Sequence, residues 1–290
     1  MQPPDELVRT ISADGGVSVR VLAATRLVQE AARRHETSPT ATVALGRALM
    51  GTLLLASEAQ DGERVQVRIR GGGPIGTILV TASSEGDVRG YAAHPDVVLP
   101  PAGDHFDVAG AVGEGTLSVE RNHPSWKQPY SGIVPLVSGE IARDFAHYLL
   151  ESEQKRSAVA LGVQLGPDGE VAAAGGYLVQ ALPEARPEAL DAVERRVHAL
   201  LHPSQLLRDG VTAGGLLDRL VGGLGTGEVA RVEPRFHCPC DERRVLAALT
   251  LLGPDELREI VERGETVEVR CAFCAAVRHI EPAKIAQRIA

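Results

Sequence analysis

The chain has 290 residues, 44% of them hydrophobic, too many for one small core, and this predicts two or three globular domains. Its 38 acidic against 30 basic residues give a net charge of -8, a field that repels phosphate backbones and argues against general nucleic-acid binding. Met1 to Arg20 carries Asp5 and Glu6 and no long apolar core, and apolar runs elsewhere are short, so neither a targeting peptide nor a membrane span is expected and the cytoplasm is the predicted compartment.

In chain order, Val17, Val19 and Val21 alternate as a half-buried strand does, and Leu27, Val28, Ala31 and Ala32 recur at helical spacing. Ser38 followed by Pro39 reads as an N-cap with proline at the first helical position, and Leu45, Leu49, Leu53 and Ala56 continue one apolar face of a central helix. Arg64 to Arg70 alternates strictly, and after a glycine-rich turn Thr77 to Ala82 reads as its antiparallel partner. Further strands are predicted at Val88 to Tyr91, Leu117 to Glu120, Ala158 to Leu165 and Val171 to Gln180, with a helix capped by Ser138 and running to Leu150. Residues 1–180 are thus expected to form an α+β domain with a mostly antiparallel sheet. Over 181–225 a helical linker is predicted. There Leu190, Val193, Val197, Leu200 and Leu201 form one face, and Leu206, Leu207, Leu216, Leu217, Leu220 and Val221 extend the apolar character to the glycine-rich break after Val221. So apolar a face needs a cover at rest. Residues 226–290 hold every cysteine and are expected to be a small metal-binding module.

Several motifs carry less than they first suggest. Gly71, Gly73 and Gly76 spell a GxGxxG string after a strand, but Pro74 and the β-branched run beyond predict a second strand instead of the helix that pyrophosphate binding needs. The chain has no GxSxG elbow, HExxH pair or GxxxxGK loop, so serine hydrolase, zincin and P-loop chemistry lack a foothold. Pro129 to Gly132 and Ser152 to Lys155 read as loops or helix ends.

The specific signal is Cys238-Pro239-Cys240, thirty residues, then Cys271-Ala272-Phe273-Cys274. In a reducing compartment such pairs are metal ligands or redox thiols, and a tetrahedral zinc takes four soft ligands at about 2.3 Å. Cys238, Cys240, Cys271 and Cys274 are the predicted ligands of one Zn2+ per chain. His237 and His279 stand beside them but are surplus to a complete four-sulfur shell. Two helices, from Val245 to Leu252 and from Leu257 to Val261, and a strand through Val267 and Val269 are expected to bring the pairs together.

These residues resemble the heat-shock protein 33 family of redox-regulated chaperones. The likeness rests on Cys238 to Arg244, Leu252 to Leu257 and Val267 to Cys274, and, nearer the N-terminus, on Ser38-Pro39, Leu53 to Ala56, Val88 to Tyr91, Pro129-Tyr130 and Ser152 to Gln154. Arg278 and Ile280 depart from it, standing where the family often has aromatics. The resemblance implies an ATP-independent holdase, not an enzyme, that is zinc-bound and inactive when reduced. Oxidation is implied to form two neighbouring disulfides, release zinc, loosen the module and linker, and expose surface for unfolding client proteins. The oxidised form is implied to be a homodimer, while the acidic net charge and the short apolar runs leave no nucleic-acid or membrane partner expected. Local closure, Cys238 with Cys240 and Cys271 with Cys274, is the expected pairing, since near neighbours have a high effective concentration. Leu216 and Leu220, on the apolar linker face, are the candidate client-binding residues.

Two other readings stay open at this point. A zinc-ribbon adaptor binding protein or nucleic acid is weakened by charge, since residues 226–290 hold ten basic and eleven acidic side chains. A thiol oxidoreductase built on Cys271 and Cys274 leaves the first pair unexplained, and Pro282 follows where such enzymes carry a long helix.

Overall fold

A computed structural model describes residues 4–289. Ala290 and the first three residues of the N-terminal stretch read above lie outside it. The chain divides into two compact units, Met1–Phe236 and His237–Ala290.

In the first unit, β1 (Glu6–Ile11) and β2 (Val17–Ala23) form a hairpin, followed by α1 (Thr25–His35) and α2 (Pro39–Ala56). Then come β3 (Arg64–Gly71), β4 (Thr77–Ser83), β5 (Asp87–Ala92), α3 (Val108–Val112), β6 (Gly115–Asn122), β7 (Tyr130–Pro135) and α4 (Ala142–Glu151). The long hairpin β8 (Ser157–Leu165) and β9 (Val171–Ala181) precedes α5 (Pro187–Ala199), α6 (Pro203–Arg208) and α7 (Ala213–Val221), and the unit ends on β10 (Ala230–Val232) and β11 (Arg235–Phe236). One sheet runs β10-β1-β2-β9-β8 and the other β11-β5-β4-β3-β6-β7, all pairs antiparallel except β11 with β5. The α+β class and the mostly antiparallel sheets agree with the sequence pattern.

Helix α2 lies between the sheets, packed on β3, β4 and β5 on one side and on β2, β8 and β9 on the other. Every one of its residues except Pro39 and Arg47 is buried, so it is apolar all round, beyond the single face predicted. By length and composition it could cross a membrane; here the two sheets surround it. Its start is as the sequence suggests, with Ser38 Oγ accepting the Ala41 N–H at 3.2 Å and Pro39 following. The glycine-rich string is a hairpin connection, β3 pairing antiparallel with β4. Its glycines serve close approach: a Cβ on Gly71 would sit 1.8 Å from the Val112 carbonyl oxygen, and one on Gly73 2.3 Å from that of Ala111.

Strand β2 is buried along its whole length because its sheet is covered on both faces. Leu22 joins the α2 core, while Val17, Val19, Val21 and Ala23 meet a second cluster containing Tyr177, Val193, Leu206, Leu207, Leu216, Leu217, Leu220 and Val221. The cover that the apolar linker face requires is therefore the outer face of the β1-β2-β9 sheet. Residues 226–236, which the sequence pattern placed in the C-terminal module, belong to the first unit, because β10 pairs with β1 and β11 with β5.

Two local expectations are corrected. Helix α4 starts at Ala142 and not at Ser138, since the buried Asp144 carboxylate takes the N–H groups of Val137 (2.8 Å), Ser138 (2.9 Å) and Ile141 (2.9 Å). Tyr130 to Gly132, read as a loop, opens strand β7. The stretch Ser152 to Lys155 closes a buried ion network: Glu153 bonds Arg121 at 3.2 Å, the Tyr148 hydroxyl at 3.2 Å and Lys155 at 2.9 Å, and Arg121 also reaches Glu63 at 3.2 Å.

The second unit holds α8 (Glu242–Leu249), a 3-10 turn at Thr250–Leu252, α9 (Pro254–Arg263), the hairpin β12 (Val267–Arg270) and β13 (Val277–Ile280), and α10 (Pro282–Ile289). Its core is five buried side chains, Val245, Leu246, Leu257, Ile280 and Ile285.

Candidate metal centre

The first cysteine pair lies on an extended stretch that ends where α8 begins. Asp241 N–H donates to the Pro239 carbonyl at 3.1 Å, and the Asp241 carboxylate caps the helix by accepting the Arg244 N–H at 2.8 Å. Pro239 stiffens the short reach between the two thiols. The second pair occupies the tight connection of the β12-β13 hairpin. There the Cys271 N–H donates to the Ala276 carbonyl at 3.0 Å, the Ala275 N–H donates to the Cys271 carbonyl at 2.8 Å, and Ala275 takes a left-handed φ of 56°.

These two turns bring the four sulfurs together. All lie within 4.8 Å of one another, with Cys240 Sγ 3.2 Å from Cys274 Sγ and Cys238 Sγ 3.9 Å from Cys271 Sγ. Tetrahedral coordination at about 2.3 Å separates neighbouring sulfurs by about 3.8 Å, so the cluster has the dimensions of a four-thiolate zinc site. Cys274 is buried and the other three are half-buried.

The electrostatics make the same point. Burial pushes the Cys271 and Cys274 thiols up, while the N–H groups of Phe273 and Cys274 aimed at the first sulfur, and of Ala276 at the second, pull the other way. Four thiolates this close repel one another unless a cation sits among them, and a dication reverses the balance. Soft sulfur donors without a carboxylate or carbonyl oxygen favour zinc over calcium or magnesium.

His237 and His279 are exposed and stand outside the cluster. Two residues that the sequence motif did not mark support it. Arg278 Nη2 donates to the Cys240 carbonyl at 3.1 Å and ties β13 to the first pair, and Lys284 reaches the Glu242 carboxylate at 2.7 and 2.8 Å, joining α10 to α8. Ile280, the other departure from the family pattern, is fully buried in the module's core. Leu216 and Leu220 lie in the first unit, on the buried face of α7, each 0% exposed.

The Hsp33 protein family model matches residues 5–281. Curated relatives named 33 kDa chaperonin include those of Nostoc punctiforme, 45% identical over 99% of this chain and 96% of the relative, and of Symbiobacterium thermophilum, 43% identical over 98% and 96%. The crystal structure of the 33 kDa chaperonin from Thermotoga maritima superposes with a TM-score of 0.90 at 34% identity, covering 99% of this chain and 98% of that one. On sequence and on fold alike, the chain belongs to the Hsp33 family of chaperones.

Proposed function

We propose that the chain is an ATP-independent holdase, not an enzyme, whose client binding is switched by the redox state of Cys238, Cys240, Cys271 and Cys274. The observation that carries this reading is four sulfurs within 4.8 Å in a unit whose own core is five side chains. A core so small gives little stability alone, whereas a structural zinc contributes about 10–16 kcal/mol of apparent binding free energy. When bound, one Zn2+ per chain would hold the four cysteines as thiolates and tie the two turns into one fold.

Oxidation acts on the sulfurs. With hydrogen peroxide as oxidant, one thiolate of a pair attacks a peroxide oxygen, the O–O bond breaks, and the products are a sulfenic acid and hydroxide. Its neighbouring thiolate then attacks that sulfur, forming the disulfide and releasing a second hydroxide. Each pair thereby gives up two electrons. The resting sulfur contacts of 3.2 and 3.9 Å run between the motifs, yet we assign the disulfides within them, Cys238 with Cys240 and Cys271 with Cys274. As the module loosens, partners one or two residues apart stay close, while partners across the intervening loop separate. With both pairs closed the four metal donors are gone, and the module unfolds.

The signal then passes along the chain. Residues 226–236 end two positions before Cys238 and are held by two very short strands, β10 and β11. Loosening these strands frees α5 to α7, and the leucine face that includes Leu216 and Leu220 becomes available to unfolding client proteins in the cytoplasm. Two such faces on separate chains would also favour a homodimer in the oxidised state.

Light scattering from an aggregating client tests the proposal. Oxidised protein is expected to suppress aggregation at near-equimolar ratio, and reduced protein is not. Equal suppression in both states, or none in either, contradicts it. A zinc-ribbon adaptor would show no suppression, and a thiol oxidoreductase would instead turn over a dithiol substrate. The ligand set is checked by metal analysis of Cys→Ser variants.

A further inference from the structure

Strand β8 is the outermost strand of its five-stranded sheet, and among the described residues no strand pairs with its free edge. A nine-residue edge normally needs a cover, because its unpaired N–H and C=O groups template a further strand. Helix α4 packs against β8 but leaves a trough beside it. Two cavities of about 530 and 520 Å³ adjoin there, sharing Arg143, Ala146 and Ser157 in their walls. Five consecutive strand residues, Ser157 to Leu161, line the second cavity. Its walls include the small side chains Ala158 and Ala160 from the strand, which also pack against the linker cluster, and Ala146 from the helix.

Charge at the mouth narrows the occupant. Arg143 and Arg156 are both exposed, and among the described residues neither has an ion-pair partner, whereas Arg47 in the same trough is neutralised by Glu140 at 2.5 Å. Two open guanidinium groups on one groove are a distinct feature in a chain of net charge -8. Leu150 and Val137, 49% and 46% exposed, add apolar surface at the same end.

We propose that this trough binds an extended, acidic and apolar segment of an unfolding client by strand addition to the free edge of β8. The strand edge requires an extended backbone, the small side chains beside it leave room for apolar ones, and Arg143 and Arg156 take carboxylates. The inference rests on the holdase reading, adding a second client contact outside the linker and giving it a chemical preference.

The test uses the full-length chain and a fluorescent, end-capped ten-residue peptide of alternating valine and glutamate, read by anisotropy. The peptide is expected to bind, to weaken with salt, and to bind at least tenfold more weakly to the Arg143→Glu, Arg156→Glu double variant, whose substitutions are on the surface. Ala146→Trp, which fills the trough without changing charge, is expected to weaken it as well. A valine and lysine peptide of the same length is expected not to compete. Equal affinity for both peptides, or an unaffected double variant, overturns the proposal. So does self-association by sedimentation that the double variant abolishes in a chain that ignores the peptide, an outcome that assigns the edge to a second copy. Suppression of client aggregation, measured on the same oxidised preparation, separates the two readings. Suppression without peptide binding leaves the holdase and removes the trough; peptide binding without suppression does the reverse.

Discussion

His202 anchors the linker at its entry to α6. Its ring sits against Gly162 of β8, so closely that a Cβ there would lie 2.3 Å from the His202 Cε1, and its Nδ1 is 3.0 Å from Ser204 Oγ. Burial, and then the charge of Arg47, push the imidazole below its ordinary value of 6.5. The docked form is therefore the neutral one. Its stability is complete above the ordinary value and falls as pH drops below it, because the undocked ring takes up a proton that the docked ring resists. The expected outcome is a folded-state titration midpoint for His202 below 6.5 by NMR, and a loss of linker protection on acidification that His202→Gln largely removes. A midpoint above 6.5 contradicts this. Single-residue features differ in how far the sequence reveals them. Ser38 with Pro39 marks a true helix start. Ser138 misleads because Asp144, six positions on, outcompetes it with a charge that binds three backbone N–H groups at once.

Among elements, α2 and the paired strands β3 and β4 are legible because their signals are local: a cap, a period, a glycine-rich turn. Strands β10 and β11 are not, since they are only three and two residues long and exist by pairing with partners distant in sequence. The linker helices are visible as an apolar stripe, but only the fold identifies the β1-β2-β9 sheet as their cover. Replacing Leu216 and Leu220 by serine leaves buried polar groups and cavities, and each change is expected to cost about 3–5 kcal/mol of linker docking. Urea unfolding followed in the linker should detect it, and client binding by the oxidised protein should weaken in parallel. Unchanged client binding with a loosened linker places the contact elsewhere. The ion network behind α4 behaves as a second fastening. Burial opposes the Glu153 charge, yet Arg121 and Lys155 hold its carboxyl below the ordinary range. That stability is present above the unfolded carboxylate value and is lost as pH falls through the folded one. Glu153→Gln should therefore lower stability near neutral pH by about 3 kcal/mol and flatten the acid limb of the stability curve. An unaltered acid limb assigns the acid sensitivity to other groups.

For the whole molecule, the cysteine spacing identifies the sulfur cluster from sequence because the chemistry of the site is four residues of one kind. The unit boundary is not legible in the same way: residues 226–236 carry no pattern that distinguishes them from the module they precede, and only their pairing with β1 and β5 assigns them. Truncation uses this difference. A chain ending at Gly225 lacks β10 and β11 and should suppress client aggregation in reductant and oxidant alike. A chain ending at Phe236 keeps both strands and should suppress less. A Gly225 truncation that stays folded and never suppresses aggregation removes the inhibitory role of the C-terminal unit. The central claim is that the four-cysteine centre governs client binding, and one peroxide titration of the zinc-loaded, reduced chain tests it by recording zinc release and client light scattering in the same samples. One zinc released per chain, in step with the gain of aggregation suppression, is the expected result. Full suppression with zinc still bound, or complete zinc release without suppression, would contradict it.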